Sequence, residues 1–190
     1  MIITIARECG AGGLPIAERL GEHFHIPVYD KVALRNIAKE KNIYNKYGNF
    51  LAEQRVNSLL YAISMGDYVT RITKTPEIVL QQLIGKQDCI LIGRCGNYVY
   101  RNRADSVSFY FHGALASRVH TMEQLRNLSE KEAKLLVENT DAERASYHKY
   151  YTKEIWGEAK YYDAALDTSK VTYDQATELC IAYCNAVGLS

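Results

Sequence analysis

A glycine-rich loop near the start of the chain carries the residue types that bind phosphate. The loop, Arg7–Gly13, reads RECGAGG and follows the β-branched apolar run Ile2–Ile5. It leads into a pattern with helical spacing that ends near Phe24. A strand, a glycine loop and a helix in this order bring backbone N–H groups and a helix N-terminus to one point. The chemistry that such a point supports is the binding of a phosphate group, as in a nucleotide.

The loop departs from the Walker A pattern GxxxxGK[ST] at its charged end. Counted from the strand, Arg7 stands at the first glycine, Gly13 replaces the lysine and Leu14 replaces the hydroxyl residue. The small residues can keep the backbone cradle, but the lysine charge and the hydroxyl ligand for Mg²⁺ are missing. We expect Arg7 to supply a positive charge from the other end of the loop. The candidates for binding the donor nucleotide are Arg7, Gly10, Ala11, Gly12 and Gly13.

Two other interpretations of the loop stay open at this point. It can be a tight turn between a strand and a helix that binds no ligand. It also matches the beginning of the dinucleotide fingerprint GxGxxG, because Asp30 lies near the place of a ribose-binding acid. Pro15 occupies the third glycine position of that fingerprint, where helix and strand must pack closely. This argues against a dinucleotide site.

Three arginines stand where they could contact a bound phosphate. Arg94 follows Gly93 after a buried apolar run, and an arginine at the carboxyl end of a strand can form a bidentate contact with phosphate. Arg144 stands three residues after Asp141, on one face of a predicted helix. Arg118 lies in the helix after the following strand. The alternatives are a surface ion pair for Arg94, a solvated charge for Arg118 and a simple pair between Asp141 and Arg144.

The elements that must position these residues follow from the apolar patterns. Fully apolar or alternating runs predict strands at Ile2–Ile5, Ile26–Asp30, Cys89–Ile92, Ser106–His112 and Ala164–Leu166. Helical spacing or caps predict helices at Gly13–Phe24, Asp30–Ala38, Phe50–Ser64, from Thr75, at Ala114–Arg126, from Ser129 to Tyr147 and from Thr172. The polar region Lys41–Asn49 is predicted to be a loop. Alternating strands and helices imply a three-layer α/β fold whose ligands bind at the carboxyl ends of parallel strands.

Composition limits the classes of binding partner and the cellular compartment that we expect. The chain has 190 residues, which suits one domain, and its net charge of +1 provides no field that would recruit nucleic acid or an acidic membrane. No run of about 18 apolar residues is present, and Met1 leads straight into a strand without a signal-peptide pattern. The five cysteines and five histidines lack the spacing of metal ligands. We therefore expect a cytoplasmic protein with free thiols and no protein-bound metal.

Three segments together resemble the cytidylate kinase-like family, a branch of the P-loop nucleoside monophosphate kinases. They are ITIARECGAGGLPIAERLGEHFHIPVYDK, CILIGRCGNYV and DAERASYHKYYTKEIWGEAKYYDAALDTSK, and they span most of the chain in the family's order. The resemblance implies one domain with a five-stranded parallel core at about residues 1–30 and 87–190. It also implies a helical insert at about residues 31–86 that binds the nucleoside monophosphate, and a lid within about residues 141–162.

The resemblance also implies roles for single residues. Arg94 would hold the acceptor's phosphate, Arg144 would be a second phosphate-binding arginine, and both are the catalytic candidates. Asp141 would contact the acceptor's ribose, Arg35 matches a further arginine at a spacing one residue short, and Arg118 would lie near the donor. Asp30, at the end of the second strand, completes the set of substrate-binding candidates.

Departures from the family pattern limit what can be carried over. Cys95 stands where cytidylate kinases have an aspartate that helps to read cytosine, so cytosine specificity does not follow. Ile92 and Val137 replace a further aspartate and a lid arginine, and Leu14-Pro15 replaces a charged pair after the loop.

The sequence leaves two function classes. The first hypothesis is an ATP-dependent phosphotransferase that acts, with Mg²⁺ held by the donor phosphates and water, on a nucleoside monophosphate or a related phosphorylated small molecule. The second is a nucleotide-binding regulatory protein of the same fold that has lost turnover. A homodimer is compatible with either hypothesis, and a chain that binds no nucleotide would be a structural module.

Overall fold

A five-stranded parallel sheet forms the centre of the protein, whose computed structural model describes residues 1–53 and 68–189. The strand order is β2-β3-β1-β4-β5, and each neighbouring pair is parallel. The strands are β1 (Ile2–Arg7), β2 (Val28–Tyr29), β3 (Cys89–Ile92), β4 (Ser106–His112) and β5 (Ala164–Asp167). Because β1 lies between β3 and β4, the loop that follows it emerges at the middle of the sheet's carboxyl edge.

Helices cover both faces of the sheet. They are α1 (Gly13–Phe24), α2 (Lys31–Glu40), α3 (Tyr44–Ala52), α4 (Tyr68–Leu83), α5 (Gly96–Tyr100), α6 (Leu115–Arg126), α7 (Glu130–Thr152) and α8 (Tyr173–Ala186), with a 3₁₀ turn at Ala159–Tyr161. On one face α1 and α8 pack through Ile16, Leu20 and Cys180 against Ile3 and Phe109. On the other face α2, α3, α4 and α7 surround β3 in a second buried cluster. The three layers predicted from the sequence are confirmed.

Local sequence explains where the long helices begin. Ser129 precedes α7, and its hydroxyl accepts from the backbone N–H of Glu132 while that glutamate reaches back to the N–H of Ser129. Thr172 and Gln175 form the same reciprocal cap at α8. The strands Cys89–Ile92 and Ser106–His112 and the helix Gly13–Phe24 have the bounds that periodicity predicts.

Two of the predicted boundaries are wrong. Residues 41–49, predicted to be a loop, contain most of α3, because burial of Phe50 and Leu51 against Tyr147 outweighs the polar composition before them. The helix predicted to begin at Thr75 begins at Tyr68 instead, so Pro76 lies inside α4 although it cannot make the helical N–H bond. Most of the helix predicted over Phe50–Ser64 lies outside the described residues.

Two further observations bear on the expected class of protein. Among the described helices, not one is long and apolar enough to cross a membrane. All five cysteines are buried and free of disulfides. Burial explains why the pKa of the Cys89 and Cys180 thiols is raised to about 12, so these groups are packing residues and not nucleophiles.

Candidate functional site

The glycine loop lies at the carboxyl end of β1 and needs glycine at two of its positions. Gly10 and Gly12 have φ angles of 82° and 74°, in the left-handed region that favours glycine. A Cβ atom at Gly10 would lie 2.5 Å from the carbonyl oxygen of Arg118. Gly12 is the N-cap of α1, and within the described part of the chain no side chain caps that helix. The first turn of α1 therefore presents uncapped N–H groups to whatever binds there.

Charged side chains hold the glycine loop in place through hydrogen bonds and ion pairs. Asp141 accepts a hydrogen bond of 2.7 Å from the N–H of Cys9, and its second oxygen lies 2.7 Å from Nη1 of Arg118. Arg118 also donates to the carbonyl oxygens of Cys9 and Gly113, at 3.1 and 2.9 Å. The carboxylate of Glu8 lies 3.1 Å from Nε of Arg118. These contacts thus join the loop to α6, α7 and the end of β4.

This geometry bears on the roles that the resemblance implies. Asp141 pairs with Arg118, whereas Arg144 donates to the carbonyl oxygen of Arg7 at 3.0 Å. The simple pair of Asp141 with Arg144 is therefore absent. Arg118 is 8% exposed, so it is a buried group and not a solvated charge. Both Asp141 and Arg118 bind the loop, and their contacts with a ribose or a donor nucleotide stay predictions.

A large cleft opens over the loop. Its volume is about 1090 Å³, and its lining includes Gly10, Gly12 and Gly13 from the loop. Volumes of this size accommodate a nucleotide. The opposite wall is apolar and comes from α6 and α7, through Met122, Leu125, Leu128 and Leu136. The cationic residues that line the cleft are Arg7, Lys31, Arg126 and Arg144.

Arg7 occupies the space that a side chain at position 13 would need. A Cβ atom at Gly13 would lie 2.7 Å from Cγ of Arg7 and 3.1 Å from its Cβ. Tyr173 covers the neighbouring glycine in the same way, since a Cβ at Gly12 would lie 2.2 Å from Cε1 of the ring. The loop therefore has no room for the Walker A lysine while Arg7 keeps this position.

A cluster of buried and half-buried charges lies beside the cleft. It consists of Arg7, Arg94, Arg144 and Glu53, and the side chain of Arg94 is 1% exposed. Glu53 contacts two of the arginines, with one oxygen 3.4 Å from Nη1 of Arg7 and the other 3.1 Å from Nη1 of Arg94. The surface ion pair considered for Arg94 is excluded by this burial. We call these four residues the arginine cluster.

Electrostatics within the arginine cluster favour the ionised carboxylate. Burial by itself raises the pKa of Glu53, but the charges of Arg7, Arg94 and Arg144 outweigh it and lower that pKa to about 2. Burial lowers the pKa of the Arg7 guanidinium to about 10; Glu53 opposes this shift, and Arg144 and Arg94 add to it. The Arg7 guanidinium stays protonated at neutral pH. The cluster has a positive surplus.

Arg94 has unused hydrogen-bonding capacity. Its Nε and both Nη atoms are buried and have no hydrogen-bond partner among the described residues, because the contact with Glu53 is poorly aligned. Arg94 lines a cavity of about 20 Å³ together with Arg7, Arg144 and Tyr147. Buried donors without partners are costly, so the site is suited to an oxyanion that can accept from several of them.

Two other predicted residues lie at the N-cap of α2 and within that helix. Asp30 is the N-cap of α2, and its carboxylate accepts a 2.8 Å hydrogen bond from the N–H of Ala33. It also lines the large cleft. Arg35 is half-buried, and its Nε has no partner within the described ranges. Neither residue is in contact with Arg94, and both stay candidates for binding substrate.

Sequence reasoning missed Glu53. It lies just beyond α3 in a stretch with no recognisable motif, and it meets Arg7 and Arg94 across 46 and 41 positions of the chain. No local pattern marks such a contact. The only sequence signal was indirect, since three arginines at the ends of strands and on α7 would need a counter-charge when buried.

The segment predicted to be a lid is packed in this structure. Its first part is the carboxyl-terminal half of α7, and its second part folds over β4. Trp156 and Tyr162 contact the ring of Tyr110, with centroids 5.6 and 5.0 Å apart. Arg101 holds Glu154 through two hydrogen bonds of 2.7 Å. Tyr147, Tyr151 and Tyr162 of this segment therefore pack against neighbouring rings.

Comparisons with known proteins agree with this architecture. The model of the cytidylate kinase-like family matches residues 2–170. No curated protein matches the chain. An uncharacterized protein from Eubacterium ventriosum is 25% identical, with a TM-score of 0.73 over 97% of this chain and 98% of that one.

Two kinases share the fold at lower identity. Shikimate kinase from Acinetobacter baumannii, solved with shikimate, is 12% identical, with a TM-score of 0.54 over 100% of this chain and 95% of that one. A gluconokinase from Sinorhizobium meliloti is 11% identical, with a TM-score of 0.50 over 95% of this chain and 89% of that one. The three-layer P-loop kinase fold predicted from the sequence is thus confirmed, and a dinucleotide-binding fold is excluded.

Proposed function

Because the chain belongs to the cytidylate kinase-like family, we propose that it is an ATP-dependent phosphotransferase that acts on a nucleoside monophosphate or a related phosphorylated small molecule. The observation that carries this proposal is the position of Arg7 and Arg144. Both residues line the large cleft over the glycine loop and the small cavity of the arginine cluster. A phosphoryl group passing between a donor in the cleft and an acceptor in the cluster would meet these two guanidiniums.

The donor side is built from backbone. The uncapped N–H groups of α1 and the residues Gly10–Gly13 would hold the donor's β-phosphate, helped by the helix dipole. The apolar wall of Met122, Leu125 and Leu136 offers a surface for the base. The cleft's size fits a nucleotide, and its arginines and Lys31 match the charge of a polyphosphate.

Magnesium would be held mainly by the donor and by water. Among the described residues no group of three or more potential ligands lies together, and Leu14 stands in place of the hydroxyl ligand. The carboxylates of Glu8 and Asp141 are already engaged with Arg118. When bound with the donor, Mg²⁺ would supply positive charge that offsets part of the charge of the phosphates.

The acceptor side is built from side chains. Arg94 would hold the acceptor's phosphate through its unpartnered nitrogens, and Arg144 would contact the transferring group. Phosphoryl transfer depends on positioning and on charge stabilisation, both of which rigid guanidiniums provide. Arg7, fixed between Glu53 and Arg144, would supply the charge that the loop lysine supplies elsewhere.

The remaining assignments complete the proposal. Residues 31–86 would form the acceptor-binding insert on the core of residues 1–30 and 87–190. The lid within residues 141–162 would close over both substrates and exclude water. We place the enzyme in the cytoplasm, as a monomer or homodimer, with nucleotides and small phosphorylated molecules as partners and neither nucleic acid nor membrane.

One observation favours a second candidate, a nucleotide-binding regulatory protein without turnover. The stem of Arg7 fills the space beside Gly13, so the loop cannot place a lysine next to the transferring phosphoryl group. Loss of such a charge costs on the order of 10²-fold or more in rate. In this alternative the cleft binds ATP and the arginine cluster senses a second anion.

A coupled assay of ADP release across the nucleoside monophosphates tests the proposal. We expect ATP- and acceptor-dependent turnover with at least one of them. Calorimetry with ATP and Mg²⁺ on the same folded protein separates the alternatives. Tight ATP binding without transfer to any acceptor would support the regulatory protein, and absence of nucleotide binding would contradict both candidates.

A further inference from the structure

We propose that Glu53 determines the charge of the acceptor, selecting a doubly charged phosphate monoester over a singly charged carboxylate. This inference rests on the proposed function, because it concerns the acceptor side of the same site. Glu53 is not among the residues to which the family resemblance gives a role. Its carboxylate occupies the oxyanion position of the arginine cluster and must be displaced by the acceptor.

The contacts show that Glu53 stands in for a bound anion. Its two oxygens reach Arg7 and Arg94 at 3.4 and 3.1 Å, and the side chain is only 10% exposed. Gly93 allows this approach, since a Cβ atom there would lie 2.6 Å from Oε1 of Glu53 and 2.8 Å from Nη1 of Arg7. A buried carboxylate between two guanidiniums has the geometry that a ligand's phosphate would adopt.

The space beside Glu53 is too small for a second anion. The cavity of about 20 Å³ holds roughly one water molecule. A phosphate group therefore cannot bind next to the carboxylate and must replace it. A phosphate in that position could accept from the three nitrogens of Arg94, which make no hydrogen bond to Glu53 or to any other described residue.

Charge decides which acceptor can displace Glu53. An incoming carboxylate offers the same charge and the same two oxygens as Glu53, which has the advantage of being tethered to the site. A phosphate monoester brings a second negative charge and a third free oxygen. With Glu53 displaced, three guanidinium charges face the ligand; a monoanion leaves the same surplus of positive charge as Glu53 does, and a dianion leaves a smaller one. The cluster therefore favours the phosphate.

Backbone geometry makes the displacement feasible. Glu53 follows the last residue of α3 with a φ angle of 54°, a left-handed conformation that is unfavourable for a residue with a Cβ atom. The preceding turn is anchored separately by the Tyr147 hydroxyl, which donates to the carbonyl oxygen of Phe50 at 3.0 Å. Rotation about the side-chain bonds of Glu53 can therefore withdraw its carboxylate without undocking α3.

Titration of the whole protein with inorganic phosphate, sulfate and acetate at pH 7.5, without ATP, tests the inference by calorimetry. We expect the wild type to bind phosphate and sulfate and to show no acetate binding. In Glu53→Gln, phosphate should bind about tenfold tighter or more, because the site is no longer occupied for most of the time. Acetate binding should become measurable in this variant.

Matched variants locate the effect. Glu143→Gln removes the same charge from an exposed position on α7 and should leave anion binding unchanged. The double variant Glu53→Gln/Arg94→Gln should lose the gain, which would place the new binding on the arginine cluster and not on the glycine loop. Glu53→Asp keeps the charge on a shorter side chain and should keep the exclusion of acetate.

Three outcomes would overturn the inference. They are phosphate binding in Glu53→Gln that is unchanged or weaker, acetate binding by the wild type, and a gain that survives the loss of Arg94. If Glu53→Gln is too unstable for calorimetry, the rise of Tm with phosphate gives the same comparison, because at a fixed ligand concentration a tighter ligand stabilises the folded protein more. Since no nucleotide is present, these results are independent of whether the protein transfers phosphoryl groups.

Discussion

The two halves of the site use charge in opposite ways. At the glycine loop, two carboxylates, Glu8 and Asp141, face the single guanidinium of Arg118, and Asp141 and Arg118 bind the loop's backbone. In the arginine cluster, three guanidiniums face the single carboxylate of Glu53, and much of their hydrogen-bonding capacity is unused. In the proposed function, the donor side thus offers backbone dipoles, and the acceptor side offers side-chain charges.

This contrast explains how a loop without lysine can belong to a phosphotransferase. The positive charge missing from the loop is present on the acceptor side, and Arg7 and Arg144 carry it to the border of the donor cleft. The side chains that contact the loop stabilise its conformation, whereas we propose that those of the arginine cluster bind a charged ligand. Substitutions on the two sides should therefore affect different measurements.

The largest effect is expected from Arg94→Lys. Lysine keeps the charge but loses the planar fork that would hold the acceptor's phosphate. We expect kcat/KM for the acceptor to fall about 10²- to 10³-fold, as when a preorganised donor is removed from an active site. The affinity for ATP, measured by calorimetry, should change little because the donor side is built from backbone.

Arg103→Lys is the matched control for that experiment. Arg103 makes a charge-assisted pair with Asp105 before β4, away from the cleft, and its side chain is 32% exposed. We expect its kcat/KM to stay within about threefold of the wild type, since exposed pairs contribute little. An equal loss of kcat/KM in both variants, or a loss of ATP affinity in Arg94→Lys, would contradict the assignment of separate donor and acceptor sides.

Glu53→Gln should show how much the ion pairs of the arginine cluster contribute to the unfolding free energy. The folded-state pKa of Glu53 is lowered from 4.5 to about 2 by the three arginines, so the stabilisation it provides is fully present above about pH 5. This stabilisation is lost as the pH falls towards 2. We expect the wild type to exceed Glu53→Gln in unfolding free energy by roughly 3 kcal/mol at pH 7, because the variant leaves buried arginines uncompensated.

Urea unfolding across the acid range measures that difference. The gap between the two proteins should narrow steadily from pH 5 to pH 2. A gap that does not depend on pH would mean that the amide disturbs packing and that the ion pairs carry no net stability. Glu143→Gln, exposed on α7, should show no gap at any pH.

Asp141→Asn should act on the donor side alone. The amide nitrogen would face Arg118, leaving that buried guanidinium without one of its carboxylates and the N–H of Cys9 less firmly held. We expect the Kd for ATP to rise about tenfold, in line with the loss of one hydrogen bond to a charged group. Binding of inorganic phosphate to the arginine cluster should be unchanged.

Asp163→Asn provides the comparison for that variant. Asp163 also accepts a 2.7 Å hydrogen bond from a backbone N–H, that of Ser108, but lies at the other end of β4. Its substitution should leave ATP affinity unchanged. If Asp141→Asn weakened phosphate binding as much as ATP binding, the two sides would be one coupled site.

The donor side was easier to predict from the sequence than the acceptor side, and the reason is physical. The glycine loop and the residues after each strand are local patterns, because parallel strands bring their carboxyl ends to one edge whatever lies between them. Arg94 could be placed by this rule, and Arg144 by its helical spacing and the family resemblance. The predicted fold followed from the same alternation of strands and helices.

Contacts between distant segments could not be predicted in this way. Glu53 reaches Arg94 only because α3 forms and docks, and the sequence around Tyr44 suggested a loop. Asp141 meets Arg118 because α6 and α7 pack side by side, a pairing that periodicity does not encode. Periodicity predicts which face of an element is buried, but not which charges meet when two faces come together.

The smallest expected effect, that of Gly13→Ala, tests whether Arg7 excludes a side chain at the position of the Walker A lysine. Gly13 is the first residue of α1 and is not in the left-handed region, so alanine should by itself favour the helix. Its Cβ would nevertheless lie 2.7 Å from Cγ of Arg7. We expect Gly13→Ala to lower the unfolding free energy by about 1 kcal/mol through overpacking. In the background of Arg7→Ala the same change should become neutral or stabilising.

The double-mutant cycle isolates the contact because only this pair is close enough to couple. Gly48→Ala on α3 is the control, since the added Cβ would have Tyr44 as its nearest neighbour at 4.0 Å and should cost nothing in either background. A cost at Gly13 that is equal with and without Arg7 would contradict the exclusion. A coupling of about 1 kcal/mol would instead mean that Arg7, which borders both halves of the site, excludes a side chain at position 13 of the loop.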